Sequence, residues 1–311
     1  MIPDPTAQRQ PVRRAEARRL SLAYLAHPHH GGTYTLFRSL RVGLAALGVD
    51  LRWIGVGEGA WNAWTDPHWQ ADCRYGAPVG PRGNVAEAEL SDHIASAIVV
   101  GGYDGVLVGV LTREAEMLAV TRLPPRVARI MIVHNITPGT YAAARALRDA
   151  VHATVAISPR IERDLVGRHG FRRDRCVVIG HGVPLGVPPR PRAVSQQLRI
   201  LSVGRIDEAA KGVLWLPPIM RRLGEGYTLT VAGDGPDLAR LRTAAADLTD
   251  RVAFVGMVAP DDVPALYAAH DVLLVPSRYE GFCLTVAEAM AAGCIPVASH
   301  IAGVTDSLIQ H

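Results

Sequence analysis

The chain has 311 residues, 49% of them hydrophobic and 20% charged, enough to build two compact domains around ordinary cores. A net charge of +4 suits anionic ligands, while aromatics at 5% and the lack of a basic stripe interleaved with them exclude a nucleic-acid surface. No apolar run approaches the ~20 residues that span a bilayer and no signal-peptide core leads the chain, so it reads as cytoplasmic.

Residues 1–19 read as a disordered basic leader: QRQPVRRAEARRL at 8–20 holds five arginines against one glutamate. The alternative for this stretch is a weak grip on a membrane surface or an anionic acceptor. From Leu20 onward short apolar runs alternate with helical patterns, the signature of a parallel sheet covered on both faces. Strands are predicted at 20–26, 49–56, 105–110, 128–133, 153–157 and 176–179. One helix is predicted over 34–47, ending at Gly48, and another from an N-cap at Ser158 to Gly170. The segment WNAWTDPHWQ at 61–70 reads as irregular, with its three tryptophans either pinning a loop to the core or offering an acceptor a stacking platform.

The segment VPLGVPPRPRAVSQQ at 183–197 carries four prolines and no periodicity, and reads as a linker between a domain at 20–182 and a second at 198–311. The alternation then restarts, with strands predicted at 198–203, 227–232, 252–255, 272–275 and 295–298 and helices near 213–223, 236–248, 263–269 and 284–292. Two doubly wound α/β domains place a ligand cleft between the facing carboxyl ends of their strands. The four cysteines are scattered and read as free thiols, and no histidine or D-x-D spacing suggests a metal site.

The loops predicted at that cleft carry the chemistry. VGRIDEAAKG follows one strand and holds Lys211, the sole lysine among a Lys+Arg count of 33. PSRYEGFCLTVAEAMAAGCIPVAS follows another and holds Glu280 and Glu288, with Gly281 freeing backbone amides at a helix start. In the first domain, HPHHGGTYT at 27–35 places Gly31 and Gly32 after the first strand, and His134 ends IMIVHN at the carboxyl end of another.

EGFCLTVAEAMAAGCIPV, together with the Gly204-Arg205 and Lys211-Gly212 pairs, resembles the retaining family-4 glycosyltransferases of the GT-B fold, whose mark is an E-x7-E motif. The resemblance runs from about residue 20 to 311. It implies a transferase moving a sugar from a UDP- or GDP-sugar, as co-substrate, to a small-molecule, glycan or lipid-linked acceptor, with no further cofactor and no metal. It also implies that Arg205 and Lys211 neutralise the donor diphosphate, that Glu280 and His134 hold the donor sugar, and that Glu288 holds the ribose. Gly204 and the amides of Phe282, Cys283 and Leu284 would line the phosphates, as would the Gly31-Gly32 loop. Cys283 stands where the family has a second glycine and Asn135 where it often has aspartate. Asp306 stands at a usual glutamate, and after GVTDSLIQH the resemblance expects a last strand and closing helices, so the C-terminal domain reads as short. Two rivals fit the same cleft, a nucleotide-sugar epimerase and a non-catalytic sugar-nucleotide binder, while a dehydrogenase is disfavoured because no G-x-G-x-x-G follows an early strand.

Overall fold

The computed structural model describes residues 19–29, 32–110, 113–183 and 197–309. Most of the basic leader, Gly31 and the core of the Pro-rich segment lie outside the described residues.

The first unit runs β1 (Leu20–Leu25), α1 (Gly32–Ala46), β2 (Val49–Val56), α2 (Gly57–Thr65), α3 (Gln70–Cys73), β3 (Gly76–Val79), α4 (Glu87–Val100), β4 (Gly105–Gly109), α5 (Glu114–Arg122), β5 (Ala128–Val133), α6 (Pro138–Leu147), β6 (Ala153–Ala156), α7 (Pro159–His169) and β7 (Cys176–Val178). Its strands form one sheet in the order β3-β2-β1-β4-β5-β6-β7, and every pairing is parallel. The second unit runs β8 (Leu198–Val203), α8 (Glu208–Lys211), α9 (Leu216–Leu223), β9 (Tyr227–Ala232), α10 (Leu238–Ala244), β10 (Val252–Gly256), α11 (Val263–Ala269), β11 (Val272–Val275), α12 (Leu284–Ala291) and β12 (Ile295–Ala298). Its parallel sheet has the order β10-β9-β8-β11-β12.

Period-two alternation builds the second core on both faces of its sheet. Ile200 joins Leu216, Met220, Leu229 and Val231 on one side, whereas its neighbour Leu201 joins Leu273, Val286 and Ala289 on the other. Both sheets reverse strand order once, between β1 and β4 and between β8 and β11, and such switch points are where loops part to leave a crevice. The β8–β11 ladder pairs only Val272 with Ile200 and Leu273 with Leu201, so both strands separate before their carboxyl ends.

Several sequence expectations are corrected. The tryptophan segment is helical: α2, a 3-10 turn over Pro67–Trp69, then α3. Trp69 is buried edge-on to Tyr34 at 5.7 Å, and Trp64 packs edge-on to Trp53 at 6.1 Å. Trp61 stays at the surface margin, donating from Nε1 to the Gly80 carbonyl at 3.2 Å with Arg82 over its ring. Two of the three therefore pack inward and no three-ring platform forms. β3 and the short α8 were not foreseen. Ser158 occupies the N-cap of α7, yet its hydroxyl makes no capping bond and is buried without a partner among the described residues; Gly170 does close that helix in the left-handed conformation. Among the described residues no helix is long and apolar enough to cross a membrane.

Among the described residues the two units meet around Gly281, Phe282 and Gly303, and Phe282 packs against the first core. Gly281 approaches the His134 carbonyl so closely that a Cβ there would overlap it, and a Cβ on Gly180 would come within 2.8 Å of the Phe282 ring. The Arg160 amide, at the start of α7, donates to the Gly303 carbonyl at 3.0 Å.

Candidate functional site

The crevice of the second sheet is lined by Gly204, Arg205, Lys211, Ser277, Glu280 and Thr285 over a floor of strand ends. Asp207 starts α8 by accepting from the Ala210 amide at 3.2 Å, and Gly212 ends it in the left-handed conformation, donating to the Glu208 carbonyl at 3.1 Å. A Cβ on Gly212 would overlap the Pro276 carbonyl oxygen, so the glycine lets the β8 loop lie directly against the β11 loop. That contact delivers the Lys211 ammonium to Glu280 Oε1 at 2.6 Å. The same oxygen accepts from Ser277 Oγ at 2.7 Å, and the carboxylate is buried. Arg205 sits at the rim, its guanidinium 3.0 Å from Asp207 and largely exposed.

Beside this pair α12 begins. Its N-cap, Cys283, has φ +68°, the one non-glycine residue in the left-handed region among those described, a conformation that costs an L-residue roughly 1–2 kcal/mol. The side chain expected to be tolerated there is buried, and burial first, then the Glu280 charge, push its thiol up to about 12. The amides of Phe282, Cys283 and Leu284 find no acceptor among the described residues and open the positive end of the helix toward the crevice. Glu288 lies further along α12, outside the crevice lining; its carboxylate is raised by burial, partly opposed by Tyr267, whose hydroxyl donates to it at 3.0 Å.

From the first unit, His134 stands at the carboxyl end of β5 with Nε2 buried and unpartnered among the described residues. Its ring lies parallel to His181 at 6.2 Å, and His181 meets Phe282 edge-on at 5.1 Å. Burial, with His181 adding repulsion, pushes His134 down to about 3; burial pushes His181 down to about 4. His27 is also pushed down to about 4, by burial first and then by His29 and Arg113. Gly32 opens α1 with open space around it.

The structure thus gathers Gly204, Arg205, Lys211 and Glu280 in one crevice, sets the α12 amides beside it and brings His134 up from the other unit. Glu288 is the member set apart. Two residues absent from the sequence reading belong here, Ser277 and His181. His181 carries the same signal as His134, a single histidine just past a strand, and is flanked by Gly180 and Gly182 besides. Ser277 had none beyond its place three residues before Glu280.

His27, His134 and His181, the three most strongly depressed histidines, carry a pH dependence of defined sign, and His169, lowered by burial, adds to it in the same direction. Each is neutral when folded and takes a proton at about 6.5 when unfolded, so the unfolded state binds more protons below that pH. Stability is complete above pH ~6.5 and falls as pH drops toward 4. His134 alone contributes up to about 1.4 kcal/mol per pH unit, and the two half-buried rings less because water screens them. Urea midpoints at pH 7.5, 6 and 5 measure this, and His134→Phe should flatten the slope.

Residues 197–311 match the profile of the family described as Glycosyl transferases group 1. Over 87 residues the chain is 40% identical to the 2-deoxystreptamine glucosyltransferase of Streptomyces kanamyceticus, covering 27% of this chain and 22% of the relative. Over 105 residues it is 39% identical to the GDP-mannose-dependent alpha-(1-6)-phosphatidylinositol monomannoside mannosyltransferase of Mycobacterium tuberculosis, covering 31% and 27%. The chain therefore spans about a quarter of the length of these curated relatives. Anabaena HepE, solved in complex with UDP and glucose, superposes with a TM-score of 0.72 at 18% identity, over 94% of this chain and 83% of that one. The two parallel-sheet units match the GT-B architecture of glycosyltransferase structures.

Proposed function

We propose that this protein is a retaining glycosyltransferase that moves a sugar from a nucleoside-diphosphate sugar to an acceptor hydroxyl in the cytoplasm. The observation that carries the reading is the Lys211–Glu280 pair, 2.6 Å apart at the switch point of the second sheet, beside the unengaged amides that open α12. Cleaving a sugar–phosphate bond builds negative charge on the departing diphosphate, and donors already aimed at that charge lower the barrier. Lys211 and Arg205 meet the diphosphate with protein cations in place of a metal, the α12 amides cradle it, and Glu280 and His134 orient the sugar. Glu288, set back along α12 and bonded to Tyr267, is assigned the ribose by the E-x7-E resemblance alone. Retention follows from front-face attack, with the departing phosphate taking the acceptor proton.

The relatives support a nucleotide donor: one is named for GDP-mannose, and HepE was solved with UDP. Their names also support an aminocyclitol or a lipid-linked glycan as acceptor. The deciding experiment incubates the chain with labelled UDP-, GDP- and dTDP-sugars, with and without such acceptors. Nucleotide release that requires acceptor, with the anomeric configuration kept in the product, is the expected result. A changed sugar without acceptor would make it an epimerase, and a raised melting temperature with no chemistry a binding protein.

A further inference from the structure

Lys211 sits on a helix of only four residues, too short to hold itself, so something else must fix the ammonium. Glu208, the first residue of that helix, has a mostly buried side chain, 17% exposed. Its amide donates to Asp237 Oδ2 at 2.8 Å, which ties the helix to the β9 loop. Its Oε2 accepts from the Leu214 amide at 2.8 Å, beyond the helix end. Its Oε1 accepts from the Arg278 guanidinium, and Arg278 Nε also donates to the Glu208 carbonyl at 3.2 Å. The Arg278 amide in turn donates to the Ala210 carbonyl at 2.9 Å. Burial would raise Glu208, but the Arg278 and Leu214 bonds outweigh it and hold the carboxylate below its usual range.

Arg278 stands two residues before Glu280, and Glu208 three before Lys211. The forked guanidinium thus fastens the segment that carries the cation to the segment that carries its carboxylate partner. A guanidinium suits this task because its rigid fork engages a carboxylate and a carbonyl at once, which an ammonium does not. We propose that Glu208 and Arg278 are positioning residues that set the reach of Lys211 toward the donor diphosphate without touching it.

This rests on the donor site proposed above, and the experiment keeps the two separable. UDP and GDP binding to the full chain is titrated calorimetrically for wild type, Lys211→Met, Arg278→Gln, Arg278→Lys, Glu208→Gln and the double variant Lys211→Met/Arg278→Gln. Arg221→Gln serves as control, because Arg221 makes a comparable fork with Asp247, at 2.8 and 2.6 Å, on the exposed surface and outside the crevice lining. Arg278→Gln is expected to weaken nucleotide binding about tenfold, Arg278→Lys less. The double variant should bind within twofold of Lys211→Met, because a misplaced ammonium and an absent one leave the same gap. Melting temperatures should fall no further than in the control. Additive losses would overturn the proposal by giving Arg278 its own contact with the nucleotide, and unchanged binding in Arg278→Gln beside weakened Lys211→Met would overturn it while sparing the donor site. Unchanged binding in Lys211→Met would remove both.

Discussion

Lys211→Met is expected to lower kcat/KM by about 10²–10³, the effect of deleting one preorganised donor to a developing anion. Stability falls too. Glu280 is 10% exposed and would keep only the Ser277 hydroxyl, and an under-satisfied buried polar group costs roughly 1–3 kcal/mol. The two losses separate in the double variant Lys211→Met/Glu280→Gln, whose neutral amide should recover much of the melting temperature and none of the turnover. Lys211→Arg should keep donor affinity within a few-fold and lose most of the turnover, since a planar fork cannot follow a moving phosphate as a compact ammonium does. Initial rates with whichever nucleotide sugar the labelled-donor experiment selects measure this, and unchanged turnover in Lys211→Arg would reduce the solitary lysine to an accident of an arginine-rich composition.

Gly281→Ala and Gly233→Ala form the second contrast. Each puts a Cβ into a backbone carbonyl, but Gly233 meets Gly204 inside the second unit, whereas Gly281 meets His134 across the junction. Gly233 also has φ +136°, a region L-residues avoid. The Gly233 overlap has no escape except through the core, so stability should fall by about 2–5 kcal/mol. The Gly281 overlap lies between the units rather than inside one, so it can be relieved by the two units moving apart. Its melting temperature should shift by less than about 3 °C, equivalent to roughly 1 kcal/mol in a chain of this size. Turnover should nevertheless drop at least ~10²-fold, since an ångström of misplacement is enough to break reacting geometry. Scattering curves and rates on the two variants test this; a Gly281→Ala melting loss equal to that of Gly233→Ala would show that the junction does not yield.

Much of the second unit was legible because local chemistry and global fold agree there. All five of its strands begin where predicted, each a short apolar run closed by glycine, proline, serine or a charged turn. α12 was foreseen for the same reason, and so was the end of α7 at Gly170 in the first unit. The failures have equally local causes. GAPV carries a glycine and a proline and predicts no strand, yet β3 lies at the sheet edge, where proline's missing N–H faces no partner. GEGAWNAWT holds two glycines and large aromatics without a clean stripe, and it is helical because Ala60 and Ala63 pack inward. α8, at four residues, is shorter than any periodicity can register.

Residue chemistry along the chain thus determined the alternation of strand and helix, the two α/β units and the short segments that hold reactive groups. The tertiary structure decided which of those segments meet. Lys211 and Glu280 are 69 residues apart, and they pair because β11 lies beside β8 in the sheet, with β9 and β10 on the other side. Strand order is fixed by how helices cover both faces of a twisted sheet, a property of the whole packed unit that no window of sequence contains. The same holds for the buried neutrality of His134: the residue is in the sequence, but the stacking of His181 exists only once β5 and β7 share a sheet, and the approach of Gly281 only once the two units face each other.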